Sequence, residues 1–455
     1  MRHLSTARVD VAWLSAFRVL FGLTMAVSAT RFLVYGWVDR LFSSQSFRFT
    51  FFGFAWVERL PQPDLHGLFA ALVLLSLAVA AGAWVRITTP LLALGLSYFQ
   101  LLDVTNYLNH YYLAALLAWL LCALPIGRAY SIDAWLRARR GETVDYTVSA
   151  LALYLLRLQV GLVYFFAGLA KAQPDWLLHA QPLRIWLSAR TDLPLLGPLL
   201  GLEGTALALS WAGFLFDTTV PFFLLGRRTR PYAFAAVILF HTGTKLLFPI
   251  GMFPFIMVLS ALVFFEPSWP RRVLGWLGPA WRSAVNAPTG ASGRRVPGWV
   301  LVAAACYALL QLALPLRAFA YPGDVLWHEQ GMRFSWRVMV RAKGGSTTFR
   351  VVPEPGAAPL IVPPRTYLTS YQESEMSSQP DLILQLAHRI RDDFREQGFA
   401  RVAVYADSRV ALNGRRSQPF IDPRVDLGQV EDSLARAAFV LPAPSAPPVH
   451  TRPTY

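Results

Sequence analysis

Residues 1–316 are divided into repeated apolar runs of about 20 residues, each long enough to cross a hydrocarbon core as a helix. A backbone in lipid must satisfy its own polar groups, so such runs leave helices or closed barrels as the possible spanning structures. Nine segments qualify: 11–35, 66–85, 88–105, 110–126, 150–170, 204–225, 232–249, 250–265 and 299–316. Composition agrees. Of 455 residues, 55% are hydrophobic and 15% charged, with a mean hydropathy of +0.40. The expected fold is a polytopic α-helical membrane bundle of about 8–9 spans, followed by a soluble β-rich or α+β domain on the outer face. The basic start "MRHLSTAR" leads into the first run without a small-residue cleavage site, so that run is expected to stay as a span.

Arginine placement sets the expected orientation. With the N-terminus inside, the inner segments hold Arg2, Arg8, Arg86, Arg128, Arg137, Arg139, Arg140, Arg227, Arg228, Arg230, Arg271, Arg272, Arg282, Arg294 and Arg295. The outer ones hold only Arg40, Arg48, Arg59, Arg184 and Arg190. This distribution also accounts for the net charge of +15 without a nucleic-acid partner. His110, the end of the fifth run and everything after residue 316 then share the outer side.

The expected domain plan is a bundle over 1–275, a cytoplasmic linker over 276–297, a last span over 298–316, an extracytoplasmic domain over 317–441 and a disordered Pro-rich tail over 442–455. In the soluble part, "MRFSWRVMVRA" (332–342), "TTFRVVP" (347–353) and "RVAVYAD" (401–407) alternate as strands do. "DLILQLAHRIRDDFREQ" (381–397) has helical spacing. Cys122 and Cys306 both lie in apolar runs, so neither a disulfide framework nor a zinc spacing is expected.

Ionisable side chains inside spans are costly and tend to face the bundle interior. Arg18, Asp103, Arg157, Asp217, His241 and Lys245 lie within or beside spans. Structural ion pairs, Arg18 or Arg157 with Asp103 or Asp217, are the simplest expectation. His241 suits either a hydrogen-bonded core position or a functional one. Lysine is scarce: only Lys171, Lys245 and Lys343 occur among 42 basic residues. Lys171, in "FFAGLAKAQPDW", either snorkels to the headgroups or serves as a base, which arginine cannot do. With Thr105, Asn109 and His110 from another helix it would suit a hydrophobic substrate with an ionisable head. An amine in an apolar pocket can take a proton from a weak acid such as a phenol, and His110 and Asn109 could donate to the resulting oxyanion.

Several stretches, in order along the chain, resemble the vitamin K-dependent gamma-glutamyl carboxylase family, including bacterial members with the HTTM membrane module. They are "FRVLFGLTM" (17–25), "NHYYL" (109–113), "YSIDAWL" (130–136), "LVYFFAGLAKAQPDW" (162–176), "FH" (240–241), "IGMFPFIM" (250–257), "EPSWPRR" (266–272), "QLALPLRAF" (311–319), "SWRVMVR" (335–341) and "FIDPRVD" (420–426). The resemblance implies oxidation of vitamin K hydroquinone (phylloquinol or menaquinol) by O2 to the epoxide. That oxidation is coupled to removal of a glutamate γ-proton and addition of CO2. It implies Lys171 as base and His110, beside Asn109, as its supporting histidine, with His241 as the mid-span histidine; Thr105 and Arg157 are added from their positions as cofactor-binding candidates, and no metal is expected. The implied partners are a lipid-soluble quinol, membrane lipid and a Glu-containing peptide or protein on the outer face of a bacterial inner membrane. Where the animal enzymes have a tandem lysine, this chain has Ala170, and the disulfide from a luminal loop to the outer domain has no counterpart. Two other readings remain open here: a quinol epoxidase without protein carboxylation, and a non-catalytic membrane quinone-binding protein.

Overall fold

The computed structural model describes residues 6–276 and 295–449. Every apolar run expected from the sequence is helical. The bundle comprises α1 (Ala12–Val34), α2 (Gln62–Ala81), α3 (Val85–Leu101), α4 (Asn109–Ala123), the short amphipathic α5 (Ile132–Arg139), α6 (Ala150–Leu169), α7 (Glu203–Leu225), α8 (Arg230–Leu247), α9 (Phe253–Ala261) and α10 (Trp269–Trp276). After the undescribed segment comes α11 (Gly298–Leu316). Among the described residues, five helices, α1, α2, α6, α7 and α11, are long and apolar enough to cross a membrane, and a sixth span results if α9, with the 3-10 turn that follows it, and α10, bent by 104°, count as one. By length and composition this is fewer than the eight to nine expected. Helix α3 has 17 residues and α4 has 15, and the 18-residue α8 is diluted by polar side chains.

The bundle core is built from Phe17, Phe21, Leu72, Leu96, Leu117 and Leu156, among others. At the end where α1 and α6 begin, strands β1 (Arg8–Asp10) and β2 (Thr147–Ser149) pair antiparallel. Here two guanidinium groups, that of Arg18 buried and that of Arg157 half-buried, meet backbone oxygens. Arg18 donates to the carbonyls of Ile126 and Tyr130 at 2.9 and 2.7 Å. Arg157 donates to those of Val263, Phe264 and Phe265 at 2.9–3.0 Å. The last carbonyls of a helix have no partner within it, and a fork of donors answers several at once. Gly82 (φ 69°) makes room for this, since a Cβ there would collide with the Arg18 guanidinium. The expected pairing of Arg18 or Arg157 with Asp103 or Asp217 is therefore not what forms.

The C-terminal domain is a four-stranded antiparallel sheet in the order β4–β3–β5–β6. Its strands are β3 (Lys343–Val352), β4 (Leu360–Val362), β5 (Ala403–Leu412) and β6 (Gln418–Pro419), with helices α12 (Ser370–Met376) and α13 (Pro380–Glu396). Leu386 and Ile390 of α13 share a core with Phe349, Val351, Val404 and Phe420, and this core also takes in Phe49, Phe51, Val104 and Ala170 of the bundle. The domain thus sits on the bundle end where α4 begins and α6 stops.

Two expectations need correction here. Residues 332–342 do not form a strand: Phe334, Trp336 and Met339 all have positive φ (64°, 57° and 52°), a conformation costly for side-chain-bearing residues. Packing against the bundle accounts for it: Trp336 stacks on Tyr112 at 4.9 Å, and Phe334 packs on Tyr107 and Tyr112. Residues 442–449 are not a loose tail, because Arg415 donates to the Ala446 carbonyl and the Val449 N–H to that of Gly414. The rest of the expected tail, 450–455, and most of the expected linker, 277–294, lie outside the described residues.

Candidate functional site

Helix α6 ends at Leu169, and Lys171 follows in a tight turn. Its side chain does not snorkel. It folds back to donate to the Ala167 carbonyl at 3.0 Å and to Asp217 Oδ2 on α7 at 2.8 Å, with both side chains about 93% buried. Trp176 places its ring 5.2 Å from the Lys171 ammonium and donates its indole N–H to the Ser210 carbonyl of α7. The helices approach closely because residue 168 is glycine, where a Cβ would lie 2.6 Å from the Thr218 nitrogen and 3.0 Å from the Asp217 carbonyl carbon. The carboxylate expected to pair with an arginine belongs to the lysine.

About two turns before Lys171 on the same helix, roughly 10 Å by helical rise, the Tyr164 hydroxyl hydrogen-bonds His241 Nε2 of α8 at 2.9 Å. His241 Nδ1 is buried without a partner among the described residues. His241 and His110 flank the same ring, Phe253 of α9, at 5.6 and 6.2 Å between centroids. His110 is buried in the first turn of α4, and its imidazole makes no hydrogen bond among the described residues. Beside it, Asn109 accepts from the Tyr107 hydroxyl at 3.0 Å, and that hydroxyl accepts from the Phe334 N–H at 2.8 Å. A single hydrogen-bonded run therefore ties Asn109 to the C-terminal domain. Burial lifts the Tyr107 phenol far above its ordinary range, so it stays a neutral donor.

The structure brings together Lys171, Asp217, His241, His110 and Asn109 at one end of the bundle and leaves other expected site residues elsewhere. Arg157 is roughly 20 Å down α6 from Lys171 by helical rise and is consumed by the carbonyls that follow α9. Thr105 donates its hydroxyl to Asp103 at 2.6 Å, and its carbonyl accepts from Tyr371 of the C-terminal domain. Asp103 also accepts from Gln372 at 3.0 Å, so Asp103 and Thr105 form a docking joint.

Sequence reasoning missed three contributors: Tyr164, the Asp217 partnership, and a clamp four residues past Lys171. There Asp175, buried, accepts two hydrogen bonds from Arg415 at 2.6 Å each and one from Asn413 at 2.9 Å. "QPDW" and "LNGRR" lie some 240 residues apart, and no local pattern relates them. Among the described residues, no group of three or more His, Cys, Asp or Glu side chains is placed to hold a metal.

Fold and site together define an integral membrane protein: an apolar helical bundle carrying buried ionisable groups where a mixed α/β domain docks. Residues 7–269, more than half the chain, match the family model for the HTTM domain. Residues 297–446 match the one described as vitamin K-dependent gamma-carboxylase, lumenal domain. The chain belongs to the vitamin K-dependent gamma-carboxylase family. No solved structure matches it.

Proposed function

We propose that this protein is a vitamin K hydroquinone-dependent γ-glutamyl carboxylase whose chemistry takes place between Lys171, His110 and His241. The observation that carries the reading is the buried Lys171–Asp217 pair, held where the two family domains meet. The surroundings suit a flat aromatic diol: Phe253 and Tyr111 offer apolar faces, while the His110 ring and His241 Nδ1 have hydrogen-bonding capacity unspent among the described residues. When bound, the hydroquinone would supply, through oxidation by O2 to the epoxide, the driving force for removing a glutamate γ-proton, with CO2 then adding at that carbon.

The chain's own residues manage protons and water. Lys171 Nζ takes a proton from a phenolic hydroxyl, and the Asp217 carboxylate stabilises the ammonium that results. The carboxylate lies 2.8 Å from the amine, close enough to neutralise that charge directly. His110 and the Asn109 amide donate to the oxyanion, and Tyr164 fixes the orientation of His241. The segment around Phe334 and Trp336 shields this end of the bundle from water. The arginine distribution supports an orientation with the N-terminus cytoplasmic and the C-terminal domain outside, where a Glu-containing peptide would arrive, and the family resemblance suggests a bacterial inner membrane.

The test supplies membranes containing the protein with reduced vitamin K, O2, labelled bicarbonate and a Glu-containing peptide. Epoxide and labelled peptide are expected together, and both should disappear in Lys171→Ala. Epoxide without label would refute the carboxylase half and retain the oxygenase. No epoxide from the wild type would leave a quinone-binding protein.

A further inference from the structure

A cavity of about 940 Å³ opens at the opposite end of the bundle, where α3 begins, α4 ends and α5 lies across them. Its lining includes four arginines, Arg86, Arg128, Arg137 and Arg140, against the carboxylates of Asp133 and Glu142. The Asp133 charge is already engaged: its two oxygens accept the N–H groups of Trp84 and Val85, at 2.7 and 3.0 Å, which start α3. Arg128 is fixed by Asp145 at 2.7 Å, and Arg137 by the carbonyls of Gly127 and Arg128. Arg86 and Arg140 are exposed, and their guanidinium groups make no hydrogen bond or ion pair among the described residues. The cavity thus has two positioned and two uncommitted cations.

Its rim indicates where the complementary anion comes from. Trp84, 66% exposed, stands at the mouth with positive φ (46°), and exposed Leu91 and Leu94 continue along α3 toward the membrane interior. An exposed indole beside arginines and below an apolar helix face is the arrangement of a membrane–water interface. A free phosphate would use the cations and leave the apolar track idle, whereas a glycerophospholipid uses both. We propose that this cavity binds the phosphodiester headgroup of an anionic phospholipid, with its acyl chains lying along α3. Basic pockets between membrane helices are suited to such headgroups. The site lies at the other end of the bundle from Lys171 and is independent of the proposed reaction.

Native mass spectrometry of the purified full chain tests the assignment, using phosphatidylglycerol, phosphatidylcholine with the same acyl chains, and inorganic phosphate as separate probes. The wild type should retain phosphatidylglycerol well above phosphatidylcholine. Arg86→Gln/Arg140→Gln should weaken that retention about 25-fold, as two juxtamembrane charges imply, and Arg86→Lys/Arg140→Lys should restore most of it. Equal retention of the two lipids by the wild type overturns the proposal even if the glutamine variant fails to fold. So does unchanged phosphatidylglycerol binding in a folded glutamine variant. Displacement of the lipid by inorganic phosphate at equal concentration assigns the cations to a soluble anion and overturns the lipid.

Discussion

Two of the chain's three lysines are buried against a carboxylate, one in each half of the protein. Lys171 meets Asp217 at 2.8 Å in the bundle, and Lys343 meets Glu329 at 2.9 Å in the C-terminal domain. Distance and burial hardly distinguish them, so a buried lysine–carboxylate pair is not by itself a sign of catalysis. Their surroundings differ. Each ammonium also meets a backbone carbonyl and an aromatic ring, but Glu329 is shared with a second cation, Arg341. Asp217 has Lys171 as its one ionic partner among the described residues. The first arrangement is redundant, as structural networks are, whereas in the second each charge has a single ionic partner among the described residues.

The comparison breaks if the two pairs respond alike. The largest effect is expected at Asp217→Ala, which leaves an uncompensated ammonium in the bundle and should cost about 3–5 kcal/mol in detergent unfolding. Lys171→Met/Asp217→Leu should recover most of that loss, because removing both charges removes the penalty. If the double variant instead loses the sum of its single-variant losses, the two residues act independently. Gly168→Ala comes next, at about 1–3 kcal/mol, since its methyl group forces α6 and α7 apart where the pair forms. An unchanged melting temperature would show that the helices do not need this close approach.

Lys343 should give the smallest effect, read as a pH response. Burial lowers its amine from 10.5 to about 8. Between those values the unfolded chain binds a proton that the folded one does not, so folding stability rises with pH through this window. The rise in unfolding midpoint of the C-terminal domain between pH 8 and 10.5 should shrink in Lys343→Met. That variant should otherwise be tolerated better than Lys171→Met, because Glu329 keeps Arg341.

Much of this was legible from the sequence where periodicity rules. The apolar runs all became helices, and 347–353, 381–397 and 401–407 took the expected strand, helix and strand forms. Residues 332–342 misled because their alternation reflects aromatic anchors pressed into the bundle by positive-φ turns, not two faces of a sheet. The ion pairs misled for a different reason. Backbone carbonyls have no sequence signature, so Arg18 and Arg157 looked in need of carboxylates that they never meet. That left Asp217 to Lys171, 46 residues away, a match set by the close packing at Gly168.

The most direct test of the account is vitamin K epoxide formation by purified Lys171→Arg protein. Arginine keeps the positive charge and can still pair with Asp217, but it cannot take up a proton. A loss of about 10²–10⁴-fold in a folded protein is the result expected if the Lys171 amine is the base. Epoxide formation at the wild-type rate would contradict it and leave Lys171 a structural partner of Asp217, as Lys343 is of Glu329.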